Sequence, residues 1–505
     1  MKILLIKPPY SRLKRTGQAP YFPLGLGYLA STLDKAGYYT RIYHAENPRL
    51  PNEDIIEDEE AIFHQRSQSQ KRYFEAVDNG AHPVWEEIRN TVKEFKPDVV
   101  GISVMTIDVL SALKISEITK EYSPEVPVVW GGVHPTFLSD EVISYDHVDF
   151  VVRGEGEKIF LNLCETIKNG GKDFSGIPGI TYKDNGKNVH NPDESHIEDI
   201  DSIPFPATHL ILYPESFNYG SMGSMIVSRG CPLRCTFCSS RLFWKKRFRV
   251  RSAENVVEEI RQLKEQYDIN YIMFWDDSFS LSKKLTMKYC DALIDSGLNV
   301  KWHTATRADL VDSELLGRMK QAGCVKLNIG VETGSPRMQK AIKKDVTNEM
   351  IRDAYKMIKS NGIATGAFFM AGFPDETLED LEMTWELMKE LKIDEVAFNV
   401  FDPMPGSELL TRCVELGLVP EDLDWSHVKF WPDNYFIRNM SHEEFDSKVV
   451  EIGNWVYNYN NRFLTKLKRY RALILFYMIH DRPMLFKKAG NYLRRRKKVK
   501  VQLSD

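Results

Sequence analysis

Three cysteines crowd into eight residues of the segment "RGCPLRCTFCSS": Cys231, Cys235 and Cys238. The chain has seven cysteines in all, and the other four, Cys164, Cys290, Cys324 and Cys413, are scattered. Three thiolates on one short loop can point at a common centre. Thiolates are the ligands of iron–sulfur clusters and of zinc. A structural zinc site normally closes with four protein ligands, and this loop offers three. A cluster iron held by only three protein thiolates keeps one position open for a substrate or cofactor. Two other readings stay open on spacing alone. One is a zinc site completed by a distant member of the twelve histidines. The other is three cysteines that are simply buried.

The elements around the loop decide where it would stand. From Ser224 onward, apolar runs alternate with helical patterns six times: 224–229, 271–277, 300–307, 325–332, 364–372 and 395–403. Six such units predict an open (β/α)6 partial TIM barrel, in which chemistry sits at the carboxyl ends of the strands. The cysteine loop follows the first strand at that end. The first ~170 residues also alternate. "KILLIK", "DVVGISV", "PVVWGG" and "DFVVRG" are near-continuous apolar runs, as in strands buried on both faces. They predict an N-terminal doubly wound, Rossmann-like parallel sheet, whose ligands bind beyond the strand ends. The residues there are Pro8, Pro9 and Tyr10, then Ser103, Met105 and Thr106, then Gly131, Gly132, Val133 and His134, then Gly154 and Glu155. Glycines recur among them, which suits close approach of a bulky planar ligand and equally suits plain strand termination.

The expected division is 1–174 for the first sheet domain, 175–222 for a linker with a hairpin, 223–440 for the barrel and 441–505 for a helical C-terminal region. "YKDNGKNVH" reads as the hairpin, with an Asn-Gly turn. An acidic, polar insertion near 52–80 reads as a lid or surface excursion. The chain is 27% charged and 43% hydrophobic, which indicates a soluble globular protein. Its longest apolar run, "ALILFYMI", is far short of a membrane span. No secretory leader is recognisable, so a cytoplasmic location is expected, where clustered cysteines bind metal or act in catalysis. Fourteen Lys or Arg and two acids follow from Arg462 onward, so that tail carries about +12 and the rest about −16. The acidic majority argues against nucleic acid as a partner.

C-x3-C-x2-C after the first strand of a partial barrel, with Phe237 before the last cysteine, resembles the radical S-adenosylmethionine superfamily. "PLGLGYLAS", "GGVHPTF" and "VRGEGE" resemble the cobalamin-binding domain of its cobalamin-dependent branch. The resemblance covers residues 1 to roughly 410. It implies that Cys231, Cys235 and Cys238 hold a 4Fe–4S cluster whose open iron binds S-adenosylmethionine, and that reduction releases a 5′-deoxyadenosyl radical. It implies cofactor contacts for Glu332 in "GVETGS", for Arg307 in "TATRAD" and for Gly372 and Pro405 in the loops "MAGFPDET" and "PMPGSE". Asp276 and Asp277 in "FWDDSF" stand where many members carry a Gly-Gly-Glu type motif, and this departure leaves their role open. The D-x-H-x-x-G pattern that gives a histidine to cobalt in some cobalamin enzymes does not occur, so no protein histidine on cobalt is expected.

The implied activity is methylation of an unactivated carbon through methylcobalamin. Alternatives are a radical oxidation or ring closure, as in the anaerobic porphyrin cyclases, and a cobalamin carrier or sensor with a structural metal site. Expected partners are a small-molecule, lipid-like or peptide substrate and a one-electron donor such as flavodoxin or ferredoxin. In the tail, Phe463, Leu467, Tyr470, Ile474 and Met478 fall at helical spacing among basic residues. Such a helix can lie on an anionic membrane or pack on the barrel.

Overall fold

In this computed structural model the structure describes residues 1–15, 21–46, 66–217, 219–462 and 465. Residues 52–65 of the acidic insertion and nearly all of the basic tail lie outside them. The rest of the insertion forms the helix Arg66–Asp78, whose Tyr73, Ala76 and Val77 are buried in a core with the first sheet rather than making a surface excursion.

The first sheet has seven strands in the order β2-β1-β3-β4-β5-β6-β7. They are β1 (Lys2–Lys7), β2 (Tyr39–His44), β3 (Val99–Ser103), β4 (Val128–Gly131), β5 (Phe150–Val152), β6 (Ile180–Asp184) and β7 (Lys187–His190). The first five are parallel. The strand β2, "YTRIYH", escapes the sequence reading because its apolar run is broken by Thr40 and Arg41 and it lies at the sheet edge. The hairpin assigned to the connecting segment is part of this sheet. Its strand β6 pairs antiparallel with β5, and Asn185 and Gly186 both take positive φ, as a tight two-residue turn requires.

The second sheet has the order β15-β14-β13-β12-β11-β8, all parallel. Its strands are β8 (Ser224–Met225), β11 (Tyr271–Phe274), β12 (Lys301–Thr306), β13 (Cys324–Glu332), β14 (Ala364–Ala371) and β15 (Glu395–Val400). These are the six units expected from the sequence. Just after β8, β9 (Ser228–Arg229) pairs antiparallel with β10 (Arg249–Val250), and the cysteine loop lies between them. Helices Ala253–Tyr267, Ser313–Gln321, Asn348–Ser360 and Leu378–Leu391 cover the outside, each begun by a Ser, Thr or Asp side chain that accepts a backbone N–H.

One face of the first sheet packs Leu4, Ile6, Val100 and Trp130 against helices Pro83–Phe95 and Val109–Tyr122. The other face, with Ile3, Leu5, Leu26 and Phe160, belongs to a core continuous with the barrel through Met222 and Met225. The two sheets are thus fused along a shared apolar seam, which fixes their strand ends relative to each other.

Candidate functional site

The cysteine loop leaves β9 through Gly230, whose φ is +98° and where a Cβ would stand 2.1 Å from the Arg247 carbonyl. Only glycine makes that turn. Further on, Thr236 ties the loop down: its N–H donates to the Ile342 carbonyl at 3.0 Å, and its carbonyl accepts from Leu409 N–H at 2.9 Å. Cys231 and Cys235 are partly exposed, Cys238 is exposed, and all three are free thiols. The other four cysteines are buried, and burial pushes the thiols of Cys164, Cys290 and Cys413 up to about 12. Among the described residues no three His, Cys, Asp or Glu side chains converge as ligands of a single ion would.

The strand ends of the barrel bring charged groups to the loop. Arg307, at the end of β12, reaches to 3.8 Å from the Cys235 sulfur. It also donates to Asp309 at 2.9 and 3.0 Å and to the Lys344 carbonyl at 2.7 Å. Glu332, at the end of β13, holds a left-handed φ of +68°, a strained conformation for a side chain of that size. Its carboxylate accepts from Lys344 Nζ at 2.8 Å, and both groups are buried. Lys344 Nζ also stands 6.0 Å from the Phe237 ring. Nothing in "AIKKDV" marks Lys344 for this place, because a lysine pair reads as surface.

The two aspartates diverge. Asp276 turns inward and accepts from Val227 N–H and from the N–H and hydroxyl of Ser228. Burial nevertheless pushes its carboxyl up to about 6. It pins the backbone that leads into β9. Asp277 is exposed and accepts from Ser240 Oγ at 2.6 Å. Gly372 has φ +90° and donates its N–H to Glu376 at 2.5 Å. Pro405 is buried, and Gly406 beside it lies against Phe137 of the first domain.

A cavity of about 270 Å³ opens between the sheets. Ser103, Gly131, Gly132, Gly154 and Glu155 line it, together with Gly25, Tyr28, Gly101 and Phe160. The barrel contributes Ile226, Arg229, Phe243 and Trp244, which flank the cysteine loop. At Gly25 and Gly154 a Cβ would meet nothing within 4 Å, so the missing side chains are what keep the space open. Helices Leu24–Lys35 and Gly156–Lys168 both begin at this cavity, and neither has a side-chain cap.

The remaining strand-end residues stand elsewhere. Tyr10 and Thr106 line a separate small aromatic crevice with Trp425 and Phe430. Pro9 is buried, and Met105 is 49% exposed. Val133 starts the short helix Val133–Phe137. His134 is fully buried, packs edge-on against Trp425 and shares a 3.3 Å hydrogen bond with Thr106. Burial lowers its pKa to about 4. It does not line the cavity.

Glu155 lines the cavity, but its carboxylate is engaged. One oxygen accepts from Arg229 at 2.6 Å and the other from Arg249 at 2.7 Å. Burial alone would push its carboxyl up, and the two guanidiniums outweigh that and hold it below the usual range. Glu157 takes the second arm of Arg229 at 2.6 Å. Sequence reading missed Arg229, Arg249 and Glu157, because partners 72 to 94 residues apart leave no local pattern.

A model of the radical SAM superfamily matches residues 225–388, and a model of the B12 binding domain matches residues 67–164. An uncharacterized methyltransferase of Pyrococcus horikoshii is 34% identical over 413 residues, 81% of this chain and 82% of the relative. An anaerobic magnesium-protoporphyrin IX monomethyl ester cyclase of Rubrivivax gelatinosus is 30% identical, covering 85% of this chain and 72% of the relative. Among solved structures, the cobalamin-dependent S-adenosylmethionine radical enzyme OxsB, with aqua-cobalamin and S-adenosylmethionine bound, superimposes with a TM-score of 0.68 at 16% identity. That match covers 98% of this chain and 75% of OxsB. The chain belongs to the radical S-adenosylmethionine superfamily, in its cobalamin-dependent branch.

Proposed function

We propose that this enzyme methylates an unactivated carbon of a small molecule, using a 4Fe–4S cluster, S-adenosylmethionine and cobalamin. The observation that carries the reading is the shared cavity. Its floor is the glycine-rich edge of the first sheet, and its far wall flanks the cysteine loop.

The donor set fits the cluster. Three free thiols occupy one loop at the barrel mouth, and a cluster takes its thiolates at separate corners rather than at one point. The cavity fits part of a corrinoid. It is mostly apolar, and its lining residues Gly25 and Gly154 leave open space where a Cβ would stand. When bound, the cluster supplies the electron that cleaves S-adenosylmethionine and cobalamin carries the methyl group.

The protein holds and orients these groups. Cys231, Cys235 and Cys238 would ligate iron, and the Arg307 cation beside Cys235 offsets thiolate charge. Glu332, Asp277 and Phe237, with the loops of Gly372 and Pro405, would receive S-adenosylmethionine. The Glu332–Lys344 pair brings a carboxylate to the mouth with its charge already balanced. Ser103, Gly131, Gly132 and Gly154 would seat cobalamin. His134 is turned toward Thr106 and Trp425, which supports cobalt without a protein histidine.

A flavodoxin- or ferredoxin-like donor would supply the electron. The basic tail would hold the enzyme at an anionic membrane surface, where each Lys or Arg contributes roughly 1 kcal/mol. Sedimentation with anionic and neutral vesicles, with and without residues 491–505, tests that contact. No helix among the described residues is long and apolar enough to cross a membrane.

The functional test is anaerobic reconstitution followed by product mass. Release of 5′-deoxyadenosine with a product heavier by one CH2 unit supports methyl transfer. A product that has lost hydrogen or closed a ring would move the reading to cyclase chemistry. A chain that binds cobalamin but neither cluster nor S-adenosylmethionine would be a carrier.

A further inference from the structure

We propose that Arg229 is a positioning residue that sets the separation between the cysteine loop and the cobalamin cavity; this rests on the function proposed above. Arg229 is the last residue of β9, two positions before Cys231. The intervening Gly230 lies so close to the Arg247 carbonyl and Trp244 that no side chain fits there. Only this one residue separates Arg229 from the first cysteine, so a displacement of Arg229 is passed on to it.

Its guanidinium is held on the cavity side by Glu155 and Glu157, at 2.6 Å each. Those carboxylates flank Gly156, at the start of a helix whose first residues line the cavity. In the β9–β10 ladder Arg229 pairs directly with Arg249, so two cations emerge side by side. Glu155 bridges them, one oxygen to each. The quartet is neutral as a whole, and all four side chains are buried. Arg229 also lies 5.0 Å from the ring of Tyr28, another cavity residue.

Apolar contacts are the more economical way to gain stability, because desolvating ion pairs cancels most of their attraction. What a bidentate guanidinium supplies is direction. The bolt spans two separately built sheets at the one place where both cofactors must meet. Reacting groups need to be held to roughly 0.5 Å, and a contact with two fixed arms can do that where a sliding apolar surface cannot.

The test uses the full chain, reconstituted anaerobically with iron, sulfide and hydroxocobalamin. Arg229→Lys keeps the charge but replaces the rigid planar fork with a single ammonium on a flexible stem, so the two carboxylates are no longer held in a fixed geometry. Glu157→Gln weakens one arm. Arg318→Lys, in a surface pair with Asp291, is the control. Iron and cobalamin per chain are measured. Microwave-power saturation of the cob(II)alamin resonance is then compared with the cluster oxidised and reduced. We expect both bolt variants to keep wild-type iron and cobalamin. The relaxation that the reduced cluster imposes on cobalt should fall severalfold in Arg229→Lys, less in Glu157→Gln, and not in the control. Wild-type relaxation in Arg229→Lys with both cofactors present overturns the proposal. Loss of a cofactor from both bolt variants also overturns it, since the quartet would then build a binding site and not a spacing. If Arg229→Lys does not fold, Glu157→Gln decides by the same criteria. A wild-type chain lacking cluster or cobalamin defeats the functional reading itself, and is told apart by that control.

Discussion

At the carboxyl ends of the first sheet stand Gly131, Gly132 and Gly154; at those of the barrel stand Arg307, Glu332 and Asp277. Both edges come from parallel strands covered by helices, and both face the same seam. One edge is made by leaving atoms out, the other by bringing charges in. The helices differ in the same sense. Most of those of the barrel are closed by their own Ser, Thr or Asp caps, Lys283–Asp295 being an exception, whereas the two that start at the cavity have no side-chain cap. Uncapped starts keep backbone donors available. An edge that receives a large, mostly apolar cofactor needs room and backbone. An edge that receives a cluster and a charged amino-acid tail needs fixed counter-charges.

The comparison breaks most sharply at the cysteines. Changing Cys231, Cys235 or Cys238 to Ala should abolish both bound iron and cleavage of S-adenosylmethionine. Changing Cys164, Cys290, Cys324 or Cys413 should leave about four irons per chain, as expected for this cluster type. Iron analysis decides, and a fourth indispensable cysteine, outside the loop, would leave no iron open.

Next is the charged edge. Lys344→Met strands Glu332 in a buried site, and breaking such a pair costs about 3–5 kcal/mol. Denaturant unfolding of the variant should show that loss. Adding Glu332→Gln to it should recover much of the stability while S-adenosylmethionine binding stays impaired. If the double variant binds normally, the pair is structural only.

Glu376 supplies a pH handle on the same edge. Burial pushes its carboxyl up to about 8, so the folded protein keeps the proton that the unfolded chain gives up near the ordinary value of 4.5. Stability should therefore fall as pH rises through that window, by about 1.4 kcal/mol per unit of separation. Below the window both states are protonated and the dependence vanishes. Glu376→Gln keeps an acceptor for Gly372 N–H and removes the titration. Its melting temperature should match the wild type at about pH 4 and exceed it at about pH 8.5. Parallel melting curves across this range would show that Glu376 ionises normally.

The smallest effect belongs to the glycine edge. Gly25 lines the cavity and an added Cβ there meets nothing within 4 Å, so Gly25→Val crowds the cavity without displacing the fold. Overfilling costs about 1–3 kcal/mol, so cobalamin affinity should fall by about tenfold or more, with the melting temperature of the cofactor-free chain unchanged. Optical titration with hydroxocobalamin reads it, and undiminished affinity would place the corrinoid elsewhere.

What the sequence made legible follows from how local each signal is. The cysteine loop is one contiguous string, and the six barrel strands are apolar runs that need no partner to be recognised. The Asn-Gly turn announced its hairpin, but not which strand the hairpin would join. Arg229, Arg249, Glu157 and Lys344 were invisible for a common reason. A charged residue read alone belongs to solvent, and only the fold brings its counter-charge from far along the chain. The glycine edge was half legible. Five of its residues line the cavity, while Tyr10 and Thr106 went to the aromatic crevice, because strand ends point to two faces and sequence position does not say which.

The hairpin carries a consequence for modularity. Composition changes near residue 175, yet β5 depends on β6 as its outer neighbour. The connecting segment also returns to the other end of the sheet, where Leu212 N–H donates to the Ile42 carbonyl at 2.8 Å and Ala207 N–H to the Gly27 carbonyl at 3.0 Å. The stretch that looks like a tether is thus a belt around the first sheet, fastened at both margins. A transplantable corrinoid module would have to run to about residue 213, since a cut at 174 leaves β5 as a raw edge open to strand addition. Evolutionary exchange of such modules between enzymes would have to move the belt with the sheet.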